Sequence, residues 1–137
     1  MSLNIFVHSE LKHGRIAMLA TLGFVATEFV KLPGDMHAVS SILAHNAAVS
    51  SGSAFQVLTA IAGIEFISCI AMKEMFAGSG RAPGDFSFDP LGLSAKLDQK
   101  NKDVMALKEL ENGRLAMVAF SGIVTQAVIT QHGFPYI

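Results

Sequence analysis

Glu10-Leu11-Lys12-His13-Gly14-Arg15-Ile16-Ala17-Met18-Leu19-Ala20 and Glu109-Leu110-Glu111-Asn112-Gly113-Arg114-Leu115-Ala116-Met117-Val118-Ala119 are two copies of one stretch. They lie 99 residues apart and agree at seven of eleven positions. Each copy places Glu, then His or Asn, then Arg at i, i+3 and i+5, and each leads into an apolar run. Charges at such a position are expensive in hydrocarbon unless something compensates them. On a helix Glu10 and His13 share a face, as do Glu109 and Asn112, while Arg15 and Arg114 point elsewhere. If two such helices cross about a local twofold axis, each Arg reaches the other helix's Glu. The repeat therefore predicts the pairs Glu10–Arg114 and Glu109–Arg15, which suit the guanidinium fork. Gly14, Ala17, Gly113 and Ala116 are small enough to let the helices approach closely.

The composition agrees with a membrane setting. Of 137 residues, 51% are hydrophobic and 15% are charged, against roughly 25% charged in soluble domains. Mean hydropathy is +0.46. A net charge of −1 gives no electrostatic case for nucleic acid. Cys69 is the one cysteine, so no internal disulfide forms, and it reads as a small buried hydrophobe. The length suits a single domain over 1–137.

The chain reads as all-α, with three transmembrane helices. The first runs from about Glu10 to Val30 and stops at Leu32-Pro33-Gly34-Asp35. The second runs from about Ser53 to Phe76, between Ser51-Gly52-Ser53 and Gly78-Ser79-Gly80. The third runs from about Val104 to Thr130 and ends near Gly133 and Pro135. Each is long enough to cross about 30 Å of hydrocarbon. The first and third are the long, crossed, pseudo-twofold pair. A soluble three-helix bundle is the alternative, opposed by the lack of a broad polar stripe on Phe55–Met72. Lys73, Arg81, Lys96, Lys100 and Lys102 fall in 73–102, whereas 31–52 holds only Lys31. The positive-inside tendency places 73–102 on the side where insertion begins, and three spans put the termini on opposite faces. No secretory signal or transit peptide is recognisable, so either a leader has been removed or the chain begins late.

A carboxylate paired through one oxygen keeps lone pairs on the other. His13 and Asn112 add neutral donors, and Gln56, Glu65 and Gln126 lie in apolar surroundings. Such scattered single donors do not form one metal cage. They suit several centres that each need one axial ligand, such as the magnesium of a chlorin ring. A rival is a membrane di-iron carboxylate enzyme, since Glu10-x-x-His13 has the spacing of such sites. The second copy, Glu109-x-x-Asn112, lacks the matching histidine.

With these residues the chain resembles the chloroplast light-harvesting chlorophyll-binding antenna proteins. The two Glu-to-Arg stretches and Phe86-Ser87-Phe88-Asp89-Pro90-Leu91-Gly92 carry the likeness from about Ser9 to Tyr136. Leu32-Pro33-Gly34, Ala44-His45-Asn46 and Phe134-Pro135-Tyr136 look most similar to the red-lineage branch, the fucoxanthin-chlorophyll and related chlorophyll a/c proteins, and to its photosystem I-associated subgroup. The resemblance implies chlorophyll magnesium on Glu10, His13, Gln56, Glu65, Glu109, Asn112 and Gln126, with no other metal and no catalytic residue. Arg15 and Arg114 would form the structural ion pairs. Asp89, Pro90, Leu91 and Gly92 would hold a carotenoid end group, its polyene lying in the groove of the crossed helices. The implied cofactors are chlorophyll a, chlorophyll c and xanthophyll carotenoids. The implied partners are a photosystem core, photosystem I before photosystem II, neighbouring antenna subunits and thylakoid lipids. The implied function is light absorption and excitation transfer without bond chemistry, in the thylakoid membrane. A photoprotective, energy-quenching relative is the alternative.

The family usually carries a further Asp-Pro-Leu-Gly-like segment before the first helix. Subtracting the repeat offset from Asp89 places it about ten residues before Met1, so an N-terminal segment is expected to be missing from this chain. His45 is either a ligand or a loop residue, and His132 either a ligand or a solvated turn histidine. Glu28 is either a pigment contact or an interfacial carboxylate. His8 and His37 are expected at the surface.

Overall fold

The computed structural model describes residues 2–31, 33–34 and 37–136, apart from the side chains of Ser2 and Ser94. Leu32 and Asp35, two of the residues expected to stop the first helix, lie outside the described set. Four α-helices follow in order: α1 Ser2–Phe29, α2 Ser41–Ser50, α3 Ser53–Phe76 and α4 Gln99–Thr130, with a 3-10 turn at Ser94–Lys96 before α4.

The expected second helix and α3 share both ends, because Gly52 at φ 78° breaks the chain between α2 and α3. The other two helices begin earlier than the apolar pattern suggests. α1 starts at Ser2 since no Gly or Pro interrupts residues 2–9. α4 starts at Gln99 with an exposed polar turn, where Gln99 Nε2 donates to Asp103 Oδ1 at 2.9 Å. Hydropathy cannot register such a turn. The helix α2 falls where only a connection was expected, and its short length and lack of buried residues explain why no periodicity announced it.

Among the described residues two helices, α3 and α4, are long and apolar enough to cross a membrane. Three such spans were expected, and by this measure α1 does not join the other two. α1 has 28 residues, but Glu10, Lys12, His13, Arg15 and Glu28 interrupt its apolar course.

Contacts fix the directions of the helices. The start of α1 lies against the 77–98 connection, where Gly84 N–H donates to His8 Nδ1 at 3.2 Å and Arg15 Nη1 donates to the Gly84 carbonyl at 2.7 Å. The end of α1 lies against α2 and the C-terminal segment. There Glu28 accepts from Ser40, and Phe29 meets Phe134 edge-on at 6.0 Å. α1 and α4 therefore run in the same sense, and α3 returns between their ends.

Small residues make the contact between α1 and α4. Gly14, Ala17, Gly113 and Ala116 are all buried. A methyl group on Gly14 would stand 2.9 Å from the Cα of Gly113, and one on Gly113 would stand 3.0 Å from the Cα of Gly14. Only glycine permits this approach. Beyond it the helices bury little. Among the described residues no large side chain is fully buried, and Leu19, Leu22, Phe55, Ile64, Phe66, Leu115 and Val118 are exposed. Cys69, expected inside, is exposed as well, on a face of α3 that no element among the described residues covers.

Candidate functional site

Two reciprocal ion pairs flank the glycine contact. Arg15 Nε donates to Glu109 Oε1 at 2.6 Å, and Arg114 Nε donates to Glu10 Oε1 at 2.6 Å. The surroundings of the two pairs differ. Arg15 also binds Gly84 and lies over the Phe86 ring at 5.4 Å, so the 77–98 connection covers its side. Arg114 is left open, its side chain 56% exposed against 32% for Arg15. In each pair the Arg takes Oε1 and leaves the second carboxylate oxygen.

The neutral residues one turn on are arranged in the same manner. His13 is exposed, and its Nδ1 lies 2.7 Å from the Ser9 carbonyl. A carbonyl only accepts, so Nδ1 carries the hydrogen and Nε2 presents its lone pair outward. Asn112 is exposed too, and its Nδ2 donates to the Lys108 carbonyl at 2.8 Å, which turns Oδ1 outward. Each helix thus carries a half-buried carboxylate bonded through Oε1 and, one turn on, an exposed neutral donor.

The remaining candidates are spread over the molecule. Gln56 stands exposed on α3, His45 on α2 and Gln126 on α4. Glu65 on α3 is half-buried. It accepts from Lys12 Nζ through Oε2 at 2.5 Å, and Lys12 Nζ also donates to Ser68 Oγ at 3.1 Å. Among the described residues no three His, Cys, Asp or Glu side chains gather into a group that could hold one ion. The donors stand singly, which fits axial ligation of separate ring-bound magnesium ions.

Asp89-Pro90-Leu91-Gly92 forms a turn. Its ends are tied by Gly92 N–H donating to the Asp89 carbonyl at 3.1 Å and Leu93 N–H donating to Asp89 Oδ1 at 3.0 Å. The turn lines a cleft of about 1050 Å³ together with Arg15, Phe86, Met105 and Glu109. Met105 and Glu109 also line a second, mostly apolar cleft of about 760 Å³ with Met18, Leu22 and Leu115. The shared residues join the turn to the groove between α1 and α4.

Several residues occupy places that sequence reasoning did not assign. His8, expected at the surface, is 6% exposed. Its Nδ1 accepts from Gly84, so Nε2 carries the hydrogen, and among the described residues that N–H has no partner. The Phe86 ring stands edge-on to it at 5.8 Å. His37 is exposed, as expected. Glu28 is engaged locally: Ser40 Oγ at 2.9 Å, Ser41 N–H at 2.7 Å and the Ser41 hydroxyl all donate to its Oε1. It caps the start of α2, a role recognisable only once α2 itself is known. His132 Nδ1 lies 2.6 Å from the Thr130 carbonyl in an exposed turn. Arg81 ties the 77–98 connection to α3 through Glu74 at 2.9 Å. The one sequence signal for the Lys12 contact was its difference from Glu111 at the matching place in the repeat.

A profile of the chlorophyll a-b binding protein family matches residues 1–128. The chain belongs to that family. A fucoxanthin-chlorophyll a-c binding protein of Chattonella marina var. antiqua is 34% identical over 126 residues, covering 91% of this chain and 57% of the relative. Light-harvesting complex stress-related protein 3.2 of Chlamydomonas reinhardtii is 36% identical over 135 residues, covering 90% and 52%. Chlorophyll a-b binding protein CP29.3 of Arabidopsis thaliana is 35% identical over 135 residues, covering 93% and 47%. The chain spans about half the length of these curated relatives. Its family binds pigment and is not one of enzymes.

Proposed function

We propose that this chain is a light-harvesting antenna subunit of the chloroplast thylakoid membrane. It binds chlorophyll a, chlorophyll c and xanthophylls in one domain, and passes excitation to a photosystem core, that of photosystem I. One observation carries the reading. Glu10 and Glu109 are bonded to arginine through Oε1, and His13 and Asn112 beside them each turn a donor atom away from their own helix. Single outward donors on apolar helices are what the magnesium of a flat, hydrophobic ring needs as a fifth ligand. Gln56, Glu65 and Gln126 serve further chlorophylls, and His45 is one more candidate. The turn Asp89–Gly92 holds a xanthophyll end ring, and the connected clefts receive its chain. Rings and polyenes then fill the apolar surface that the helices leave uncovered.

In this reading α1 spans the membrane along with α3 and α4. Its charged residues are compensated inside the protein, Glu10 by Arg114, Arg15 by Glu109 and Lys12 by Glu65. Composition alone therefore overstates the cost of inserting α1.

The test is refolding in detergent with chlorophyll a, chlorophyll c and a xanthophyll extract, followed by chromatography of the bound pigments. Several chlorophylls per chain and a carotenoid band in the chlorophyll fluorescence excitation spectrum are expected. A chain that emerges without chlorin absorbance refutes the proposal. Co-purification of the native protein with photosystem II and not photosystem I would remove the choice of core. The likeness to the stress-related proteins of Chlamydomonas reinhardtii supports a second reading, in which the same pigments quench excitation. A fluorescence lifetime of nanoseconds supports harvesting, and a strongly shortened one supports quenching.

A further inference from the structure

The two copies of the repeat differ at the residue between Glu and His or Asn. The first has Lys12 and the second has Glu111. Glu111 is exposed on α4. Lys12 leaves its own helix and reaches α3. There its ammonium sits between Glu65 Oε2 at 2.5 Å and Ser68 Oγ at 3.1 Å. Glu65 and Ser68 are one turn apart, so the two acceptors form a seat for one cation on a single face. Ser68 is buried, and Ala71 and Met75 continue the same stripe of α3. Among the described residues, the hydrogen bonds of Lys12 are the only ones between α1 and α3.

Glu65 thereby matches Glu10 and Glu109. All three carboxylates are held through one oxygen by a cation from another helix, and their side chains are similarly exposed, at 40%, 31% and 36%. We propose that Lys12 is a positioning residue: it clamps Glu65 by one carboxylate oxygen, and so presents the other to the magnesium of a chlorophyll on α3. Without Lys12 the carboxylate would stand uncompensated on an apolar helix. Neither oxygen would then be held in place, and a ligand without its orienting partner is poorly placed for magnesium. The inference rests on the pigment-binding reading above and adds, to the carboxylate that Arg15 holds on α4, one that Lys12 holds on α3.

The test uses the full chain refolded with chlorophyll a and carotenoid, with chlorophyll counted per polypeptide. Glu65→Ala is expected to lose one chlorophyll relative to the unsubstituted chain, and Lys12→Met to lose that same one. The double variant Lys12→Met/Glu65→Gln decides between positioning and a merely structural role. Glutamine is an uncharged oxygen donor that needs no cation beside it. Restoring the lost chlorophyll in this variant is expected, also where Lys12→Met alone fails to assemble. A Lys12→Met chain with the full complement, while Glu65→Ala loses one, overturns the role of Lys12 and leaves the pigment reading intact. Failure of Glu65→Gln to rescue Lys12→Met overturns it equally. An unsubstituted chain that takes up no chlorophyll overturns the pigment reading and this inference with it.

Discussion

Gly14→Ala adds one methyl group and should weaken the protein, while Gly23→Ala adds the same methyl group to the same helix and should not. The distinction comes from the contact between α1 and α4. The new Cβ at position 14 would stand 2.9 Å from the Cα of Gly113, with the Gly113 carbonyl carbon at 3.4 Å, whereas a Cβ at position 23 meets nothing within 4 Å. Carbon atoms rest at about 3.5–4.0 Å from one another. The helices must therefore separate by about 0.6–1.1 Å at that point, because backbone on a packed helix cannot rotate away as a side chain tip can. Overpacking of this kind costs about 1–3 kcal/mol. Both substitutions sit inside α1 and gain similarly in helix propensity, so the difference between them isolates the contact. The separation would also stretch the two Arg–Glu bonds, each now 2.6 Å. Gly113→Ala and Gly122→Ala form a second matched pair on α4, with a clash at 3.0 Å and open space respectively. The assay is the thermal loss of pigment circular dichroism in refolded protein. Gly14→Ala and Gly113→Ala should each melt below their partners. Equal melting within both pairs would refute the close approach on which the site geometry depends.

The ion pairs are expected to rank by their surroundings. Arg15→Leu should lower pigment yield more than Arg114→Leu, since Arg15 also holds Gly84 and lies over Phe86, and both should exceed Lys96→Leu in the exposed turn before α4; refolding yields measure the order. Glu28→Ala removes the bonds at the start of α2 and should cost about 1–2 kcal/mol, seen as faster proteolysis between residues 37 and 52, with the α1–α4 pigments retained. His8→Ala leaves the buried Gly84 N–H without its acceptor, at a cost of about 1–3 kcal/mol. It should lower the midpoint of thermal pigment loss.

Much of the architecture could be read because it is local or repeated. Gly52 and Gly78 bracket α3, and both have positive φ, so the punctuation that bounded the helix in the sequence bounds it in space. The 99-residue repeat put Glu and Arg at places from which each reaches the other copy, and the pairs in the structure use that reach. What hydropathy could not show were polar helical turns. α4 gains five residues from Gln99 to Asp103 that carry no apolar signal, and α2 is too short for its period to stand out. The first helix misleads in the opposite direction. Its charges lower its apparent fitness to cross a membrane, but their partners on α3 and α4 are separated from it by long stretches of sequence.

The site was least legible where one residue meets an element that its counterpart in the repeat does not. His8 reads as a polar residue near one end of the sequence, and the 77–98 connection, folded back through Gly84 and Phe86, helps to bury it. Lys12 reads as one more charge in a motif. The repeat relates α1 to α4 but has no counterpart for α3, which lies beside α1 at Lys12. A twofold arrangement with a third helix on one side must break its symmetry somewhere. The sequence breaks it at Lys12 against Glu111, and the structure places the third carboxylate, Glu65, at that break. An exchange of the two residues tests the argument. A chain with Lys12→Glu and Glu111→Lys has the same composition and net charge, and it keeps both Arg–Glu pairs. It should nevertheless lose the α1–α3 joint, because a carboxylate at position 12 would face Glu65 and an ammonium at position 111 would face no element. Loss of one chlorophyll with the α1–α4 pigments kept is the expected result in pigment analysis of the refolded chain. An exchanged chain with the full complement would show that the difference between the copies has no structural consequence.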